Sequence, residues 1–115
     1  MKKLTKTDSY PKIALHAIDG WLFVHAEEIL YAIADGNYTR IHLTNNRSVR
    51  VLKKLKAVSE CLSTMHFIRI HRSHLINLKH IQAYTETETV TMSNGRCLAV
   101  ARHRKATFLE KFTHI

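Results

Sequence analysis

A mainly β fold of about ten short, mostly antiparallel strands with two short helices is what this sequence predicts. Three observations carry the prediction. Turn pairs punctuate the chain at Asp19-Gly20, Asp35-Gly36, Asn45-Asn46 and Asn94-Gly95, and residues of these types tolerate the positive φ of tight hairpin turns. Between the turns, apolar and polar side chains alternate with the period of two that marks a half-buried strand. Only two stretches replace that alternation with helical spacing.

Taken in order, the first strand is predicted where Ile13, Leu15 and Ala17 alternate with Ala14 and His16, and the second comes next over Trp21 to Val24. Leu30 to Ala34 and Thr39 to Leu43 flank the Asp35-Gly36-Asn37 turn, and Ser48 to Val51 comes after Asn45-Asn46. The apolar set Val51, Leu55, Val58 and Leu62 then recurs at i, i+4, i+7 and i+11. That spacing is one stripe of an α-helix, with Lys53, Lys54, Lys56 and Glu60 on its other faces, and such a helix covers a sheet. Strands are predicted again over Phe67 to Ile70, Gln82 to Thr85, Thr89 to Ser93 and Arg96 to Val100. A last helix, from about Arg102 to Phe112, is expected to bury Phe108, Leu109 and Phe112.

At 115 residues the chain suits one domain, because a single core organises about 100 to 200 residues. Residues 1–11 read as a loosely attached segment and 12–115 as the domain itself. No run approaches the roughly 18 apolar residues of a spanning helix, and the N-terminal residues lack the apolar stretch of a secretory signal, so a cytoplasmic location and no membrane partner are expected. The two cysteines, Cys61 and Cys97, are too few for a disulfide scaffold and are read as small buried or half-buried hydrophobes.

The formal charge is +9, and its placement matters more than its size. Between Gly36 and Thr85 the only acid is Glu60, set against Arg40, Arg47, Arg50, Lys53, Lys54, Lys56, Arg69, Arg72 and Lys79. A basic face points to a polyanionic partner, with a merely basic, soluble domain as the plainer alternative. The pattern of a helix-turn-helix is missing, so DNA binding would rest on loops and sheet edges.

Three constellations could supply such contacts. In the first, Ile68 and Ile70 set the inward face of a strand, so Arg69 and His71 point the other way and Arg72-Ser73 begin a loop. Arginine can bond guanine O6 and N7 together, and histidine or serine can reach phosphate or a base edge. The plainer alternative is a solvated strand end in which Arg69 pairs with an acid and Asn77 caps the next turn. The second is Arg102, Arg104 and Lys105, three cations expected in the first turn of the last helix, where they oppose the helix dipole unless a phosphate sits there. A later helix start would instead leave them in a loop. The third is the tip bearing Asn37 and Tyr38, where an amide could read adenine and a phenol could reach phosphate, although any hairpin turn would look alike.

Nine histidines raise the question of a metal, but Cys61, His66, His71 and His74 lack the paired spacing of a zinc site, and no carboxylates stand near them to hold a hard cation. No metal, cofactor or catalytic activity is expected: neither a phosphate-binding glycine loop nor a nucleophile elbow can be assembled.

The runs ILYAIADGNYTRIHL, FIRIHRSHLINLKHI and MSNGRCLAVARHRKATFLEKF, in that order with a basic amphipathic helix after the first, resemble the LytTR DNA-binding domain over about Lys12 to Phe112. The resemblance implies an elongated fold of about ten strands, the output domain of many bacterial two-component response regulators, whose loops enter successive major grooves of double-stranded DNA. It further implies binding to paired, repeated half-sites and control of transcription. By position, base reading falls on Asn37, Arg72 and Arg102, and backbone contacts on Arg69, His71, Ser73, Arg104 and Lys105. The chain includes no receiver domain of the kind that usually precedes this one, which leaves its regulation open. The free chain is expected to be a monomer that pairs on DNA, since no long apolar stripe is left over once the core is filled. A DNA-free module for an acidic protein or membrane surface is the alternative. Single-stranded RNA binding is a weaker one, because the exposed strand faces offer mainly Tyr38 and Tyr84 for stacking.

Overall fold

The computed structural model describes residues 12–115, so the expectation for 1–11 lies outside the described residues. Ten strands and two short helices succeed one another: β1 (Ile13–Ala17), β2 (Gly20–Val24), β3 (Ile29–Asp35), β4 (Tyr38–Leu43), β5 (Ser48–Val51), α1 (Leu55–Cys61), β6 (Phe67–His71), β7 (His74–Asn77), β8 (Ile81–Tyr84), β9 (Thr89–Met92), β10 (Cys97–Ala99) and α2 (Lys105–Leu109). All pairings are antiparallel. They make a β1–β2 hairpin, a five-stranded sheet in the order β5-β4-β3-β7-β6, and a three-stranded sheet in the order β10-β9-β8. The long axis measures 48 Å against 24 Å for the shortest, an elongated arrangement.

The five-stranded sheet is covered on both faces, which explains the run Ile29-Leu30-Tyr31-Ala32, buried throughout where strict alternation would have exposed every second residue. On one face Ile29, Ala32, Ile41, Leu43 and Leu75 meet Leu15 and Val24 of the hairpin and Leu55, Val58 and Leu62 from α1 and its C-terminal end. On the other, Tyr31, Ile70 and Ile76 pack with Val90, Met92, Leu98, Val100 and Phe108. A register irregularity between Ile29 and Tyr31 sends Leu30 and Tyr31, neighbours in sequence, into the same core. Each fully buried side chain of this size contributes roughly 1.5 to 3 kcal/mol of transfer free energy.

Several local expectations change. The strand β7, at the heart of the sheet between β3 and β6, is absent from the sequence-based expectation: Leu75 and Ile76 go to opposite cores, and so short a doubly buried strand shows no alternation. The helical stripe begins at Leu55, not Val51. Val51 stays in β5 opposite Thr39, because Thr39 Oγ1 donates to the Lys53 carbonyl at 2.7 Å and Leu52 N donates to His16 O at 3.0 Å. Those bonds hold the connection extended. The last helix also starts late, since Arg102–Arg104 form one 3-10 turn before α2.

Phe108 is buried as expected and Leu109 packs against the second core, but Phe112, beyond the end of α2, stays exposed and meets Phe108 edge-on at 5.4 Å. Both cysteines are exposed. Cys61 closes α1, and Cys97 occupies the outward position of β10, where Leu98 takes the inward one. The turn in which both residues carry positive φ is Asn45-Asn46, at 62° and 61°; at the β3–β4 tip only Gly36 does. Nor is the surface free of apolar groups. Ile18, Trp21 and Phe23 of the first hairpin are 89%, 58% and 59% exposed, because β2 turns alternate residues outward and the hairpin covers the sheet with one face only.

Candidate nucleic-acid interface

The antiparallel order β5-β4-β3-β7-β6 places the β3–β4 tip and the β6–β7 turn at the same end of one sheet, since Asp35 pairs with Tyr38, Ile33 with His74, and His71 with His74. Backbone bonds then tie the loops together. Ala34 N donates to Ser73 O at 3.0 Å, joining the tip to the turn, and Ala101 N donates to Ile70 O at 2.7 Å, joining the segment after β10 to β6. His74 Nδ1 lies 3.1 Å from the Ala99 carbonyl on the same side. The three loops singled out from the sequence thus form one continuous surface. The backbone of these loops is thus anchored to a sheet covered on both faces, a scaffold that sets where they stand.

Within that surface the residues differ. Asn37 is exposed at the tip. Tyr38 beside it is held by Arg50, whose guanidinium stands 4.3 Å over the ring while its Nε lies 3.4 Å from Asp35. Arg72 and Arg102 are exposed, and the ion pairs among the described residues, Arg47–Glu28, Arg50–Asp35 and Lys105–Glu88, include neither. Ser73 N donates to His71 Nδ1 at 3.0 Å, so that nitrogen is an acceptor, and the His71 ring stacks on His74 at 4.5 Å. From the sequence His74 entered only the question of a metal, and its place beside the loops follows from β7, which the alternation does not show. Its pKa is lowered from the usual imidazole value by burial, with His71 and Arg96 adding to that and the bond to Ala99 opposing it.

Among the described residues Arg69 pairs with no acid. Its Nη2 donates to the Arg72 carbonyl, bracing the turn, and its Nε is buried without a partner. Arg104 repeats the feature, with a buried Nε that has no partner. The two are close enough to repel: burial first, then the Arg104 charge, lowers the Arg69 pKa. Arginine nevertheless keeps its proton in proteins. Lys105 is the cation of this group that does find an acid, Glu88 at 3.2 Å, and that bond raises its pKa. With α2 starting only at Lys105 and Arg104 as its N-cap, Arg102 precedes the helix, and the expected conflict with its dipole is confined to Arg104 and Lys105, the latter paired with Glu88. Asn77 is structural. It is 2% exposed, donates to Ile29 O at 2.9 Å and Ala26 O at 3.3 Å, and accepts from Lys79 N at 2.9 Å.

Other features lie apart from this surface. A cavity of about 160 Å³ between the first hairpin and α1, lined by Leu15, Trp21, Val58 and Leu62 among others and bordered by Lys53, includes none of the site residues predicted from the sequence. Tyr84, expected on an exposed face, packs edge-on against Phe108 at 5.4 Å. Among the described residues no three His, Cys, Asp or Glu side chains are grouped to hold a metal ion, and no helix is long and apolar enough to cross a membrane.

A mainly β module that presents linked cationic loops at one sheet end is the class defined by this fold. The chain belongs to the LytTR DNA-binding domain family, whose model matches residues 19–113. That family consists of DNA-binding regulatory modules, not enzymes. A solved structure described as the LytTr DNA-binding domain of a putative methyl-accepting/DNA response regulator from Bacillus cereus superposes with a TM-score of 0.74 at 26% identity, covering 89% of this chain and 96% of that one. Among curated proteins, similarity extends to the transcriptional regulatory protein LytR of Staphylococcus aureus, 38% identical over 68 residues, which is 56% of this chain and 27% of that protein. The CO-responsive transcriptional regulator RcoM of Rhodospirillum rubrum is 33% identical over 67 residues, 58% of this chain and 28% of that protein. The sensory transduction protein LytT of Oceanobacillus iheyensis is 26% identical over 83 residues, 72% of this chain and 34% of that protein. This chain therefore spans about a quarter to a third of the length of these three relatives.

Proposed function

We propose that this chain is a sequence-specific regulator of transcription that acts on double-stranded DNA in the cytoplasm, as the output part of a two-component response regulator. Asn37, Arg72 and Arg102 reach base edges in the major groove. Tyr38, Arg69, His71, Ser73, Arg104 and Lys105 contact the backbone, with Lys105 exchanging Glu88 for phosphate. The observation that carries this reading is the pair Arg69 and Arg104, neighbouring half-buried cations with a partnerless buried Nε apiece. An anion held by their outer nitrogens relieves the mutual repulsion, and a phosphate lying in the guanidinium plane is held best.

The test is a binding selection on random duplex DNA followed by titrations with variants. An enriched motif is expected. Arg72→Ala and Arg102→Ala should each lose about 1 to 3 kcal/mol on the selected site and relax preference at one base pair, with a smaller loss on random duplex. Equal losses on both duplexes would reduce these arginines to backbone contacts.

Size also bears on assembly. A module of this kind buries on the order of 600 to 1,000 Å² of protein surface, too little to select one site in a genome, so two copies are read as occupying repeated half-sites while the free chain is monomeric. Duplexes with two half-sites should bind more weakly when the spacer grows by about five base pairs and recover at about ten. Indifference to spacing would defeat the pairing, and a dimer in sedimentation without DNA, joined through the exposed Trp21 and Phe23 face, would defeat the monomer.

A further inference from the structure

The row of loops does not stop at the β3–β4 tip. Strand order across the interface end runs β6, β7, β3, β4, β5, so the Arg72 turn, the Asn37 tip and the end of β5 succeed one another along a line, with the Arg102 segment bonded beyond β6. At a strand spacing of about 4.8 Å, the tip lies roughly 10 Å from the Arg72 turn and the end of β5 roughly 7 Å beyond the tip. The chain leaves β5 there as Leu52-Lys53-Lys54, with both lysines exposed.

This connection is held in place. The Thr39 hydroxyl, fully buried one residue beyond Tyr38, anchors the Lys53 carbonyl at 2.7 Å, and His16 O anchors Leu52 N at 3.0 Å. Neither lysine is in an ion pair among the described residues. Lys53 Nζ rests 3.7 Å from Cys61 Sγ, a weak acceptor that a phosphate oxygen replaces readily. Arg50, by contrast, is engaged by Asp35 and the Tyr38 ring. The major groove is about 12 Å wide, enough to admit the Arg72 turn and the Asn37 tip together. The end of β5, roughly 17 Å from the Arg72 turn along the same line, therefore falls outside the groove on the flanking phosphate strand.

We infer that Lys53 and Lys54, in the connection between β5 and α1, form a fourth contact segment that grips the DNA backbone beside the groove entered by Asn37. This rests on the reading of the interface as a duplex-binding surface. It lengthens the footprint on the side away from Arg102 and adds affinity without base preference, because lysine meets phosphate as a point charge.

The experiment titrates the wild-type chain and its variants with a random-sequence 30-base-pair duplex across a range of salt concentrations. Lys53→Gln/Lys54→Gln should lower the slope of log affinity against log salt by about 1.8, so that the wild-type advantage shrinks about twelvefold between about 50 and 200 mM salt. Lys53→Arg/Lys54→Arg should keep the wild-type slope, and hydroxyl-radical footprints of the Gln pair on the selected site should shorten at one edge. Lys79→Gln is the control: it removes a cation at the far end of β7 and should leave the slope in place. A thermal melt of the Gln pair matching wild type separates lost contacts from lost fold, and if it melts early the Arg pair and the wild-type footprint decide. A slope unchanged in the Gln pair, a slope lowered as much by Lys79→Gln, or a wild-type footprint that ends at the Asn37 contact would overturn the inference while leaving the duplex reading intact. Failure of the wild-type chain to bind duplex at all would instead remove that reading, and this one with it.

Discussion

The two ends of the five-stranded sheet treat their polar groups in opposite ways. At the end where β3 begins and β7 stops, donors and acceptors are matched. Asn77 makes three bonds, His80 meets the Glu27 carbonyl at 2.7 Å and the Ser93 hydroxyl at 3.1 Å, and Arg47 holds Glu28 at 2.9 Å. At the loop end Arg69 and Arg104 keep buried Nε groups without partners, and Arg72 and Arg102 stand outside the ion pairs of the described residues. The sheet and its cores are shared, so the difference lies in how far each end satisfies its own polar groups. Saturated polar groups hold a fold together, whereas partnerless buried ones cost stability.

The largest expected effect belongs to the saturated end. Asn77→Leu leaves the Ile29 and Ala26 carbonyls and the Lys79 amide to find other partners around a buried site, and should destabilise the chain by roughly 3 kcal/mol. Urea unfolding measures it. A loss below about 0.5 kcal/mol, the range of ordinary surface changes, would show that this end is not held by its polar network. At the loop end the contrast should reverse. Arg104→Ala is expected to change stability little or to raise it, since it removes a cation beside Arg69, while lowering the salt slope of duplex affinity by about 0.9. If instead the variant unfolds easily and its salt slope stays put, Arg104 is a structural residue.

The smallest effect is a pH dependence. His74 and His42 have lowered pKa values, mainly through burial, so the unfolded chain takes up protons more readily than the folded one. Stability from this source is complete above the ordinary imidazole value of 6.5 and declines as the pH falls below it. The Glu28 carboxyl, held below 4.5 by the His25 amide and then Arg47, adds its own loss only in a more acidic window. Melting temperatures between pH 7.5 and 5.5 should therefore fall, His74→Gln should flatten the fall, and saturating duplex should reduce it because nearby phosphates favour the imidazolium. A profile that stays the same in His74→Gln would show that His42 or other groups carry the dependence.

Local chemistry in the sequence determined most of the strands, the turn positions, the two helices and the three candidate loops. Those features depend on near neighbours: alternation at Thr39–Leu43, the Asp35-Gly36 and Asn94-Gly95 pairs, and a cationic stretch with Glu60 as its lone acid. The departures depend on distant partners. The strand β7 exists because β3 and β6 close on either side of it, and Val51 stays extended because Thr39 and His16 hold the residues after it. Asn77 caps the turn Leu78–His80, as the plainer reading of the sequence has it, and it also bonds the Ile29 and Ala26 carbonyls because the fold lays them across from it. Which cations are spare was likewise decided by folding. Arg50 and Lys105 look no different in sequence from Arg72 and Arg102, but the fold brings Asp35 and Glu88 to the first two. A sequence specifies the charges along the chain, and only the tertiary structure sets the distances over which they act.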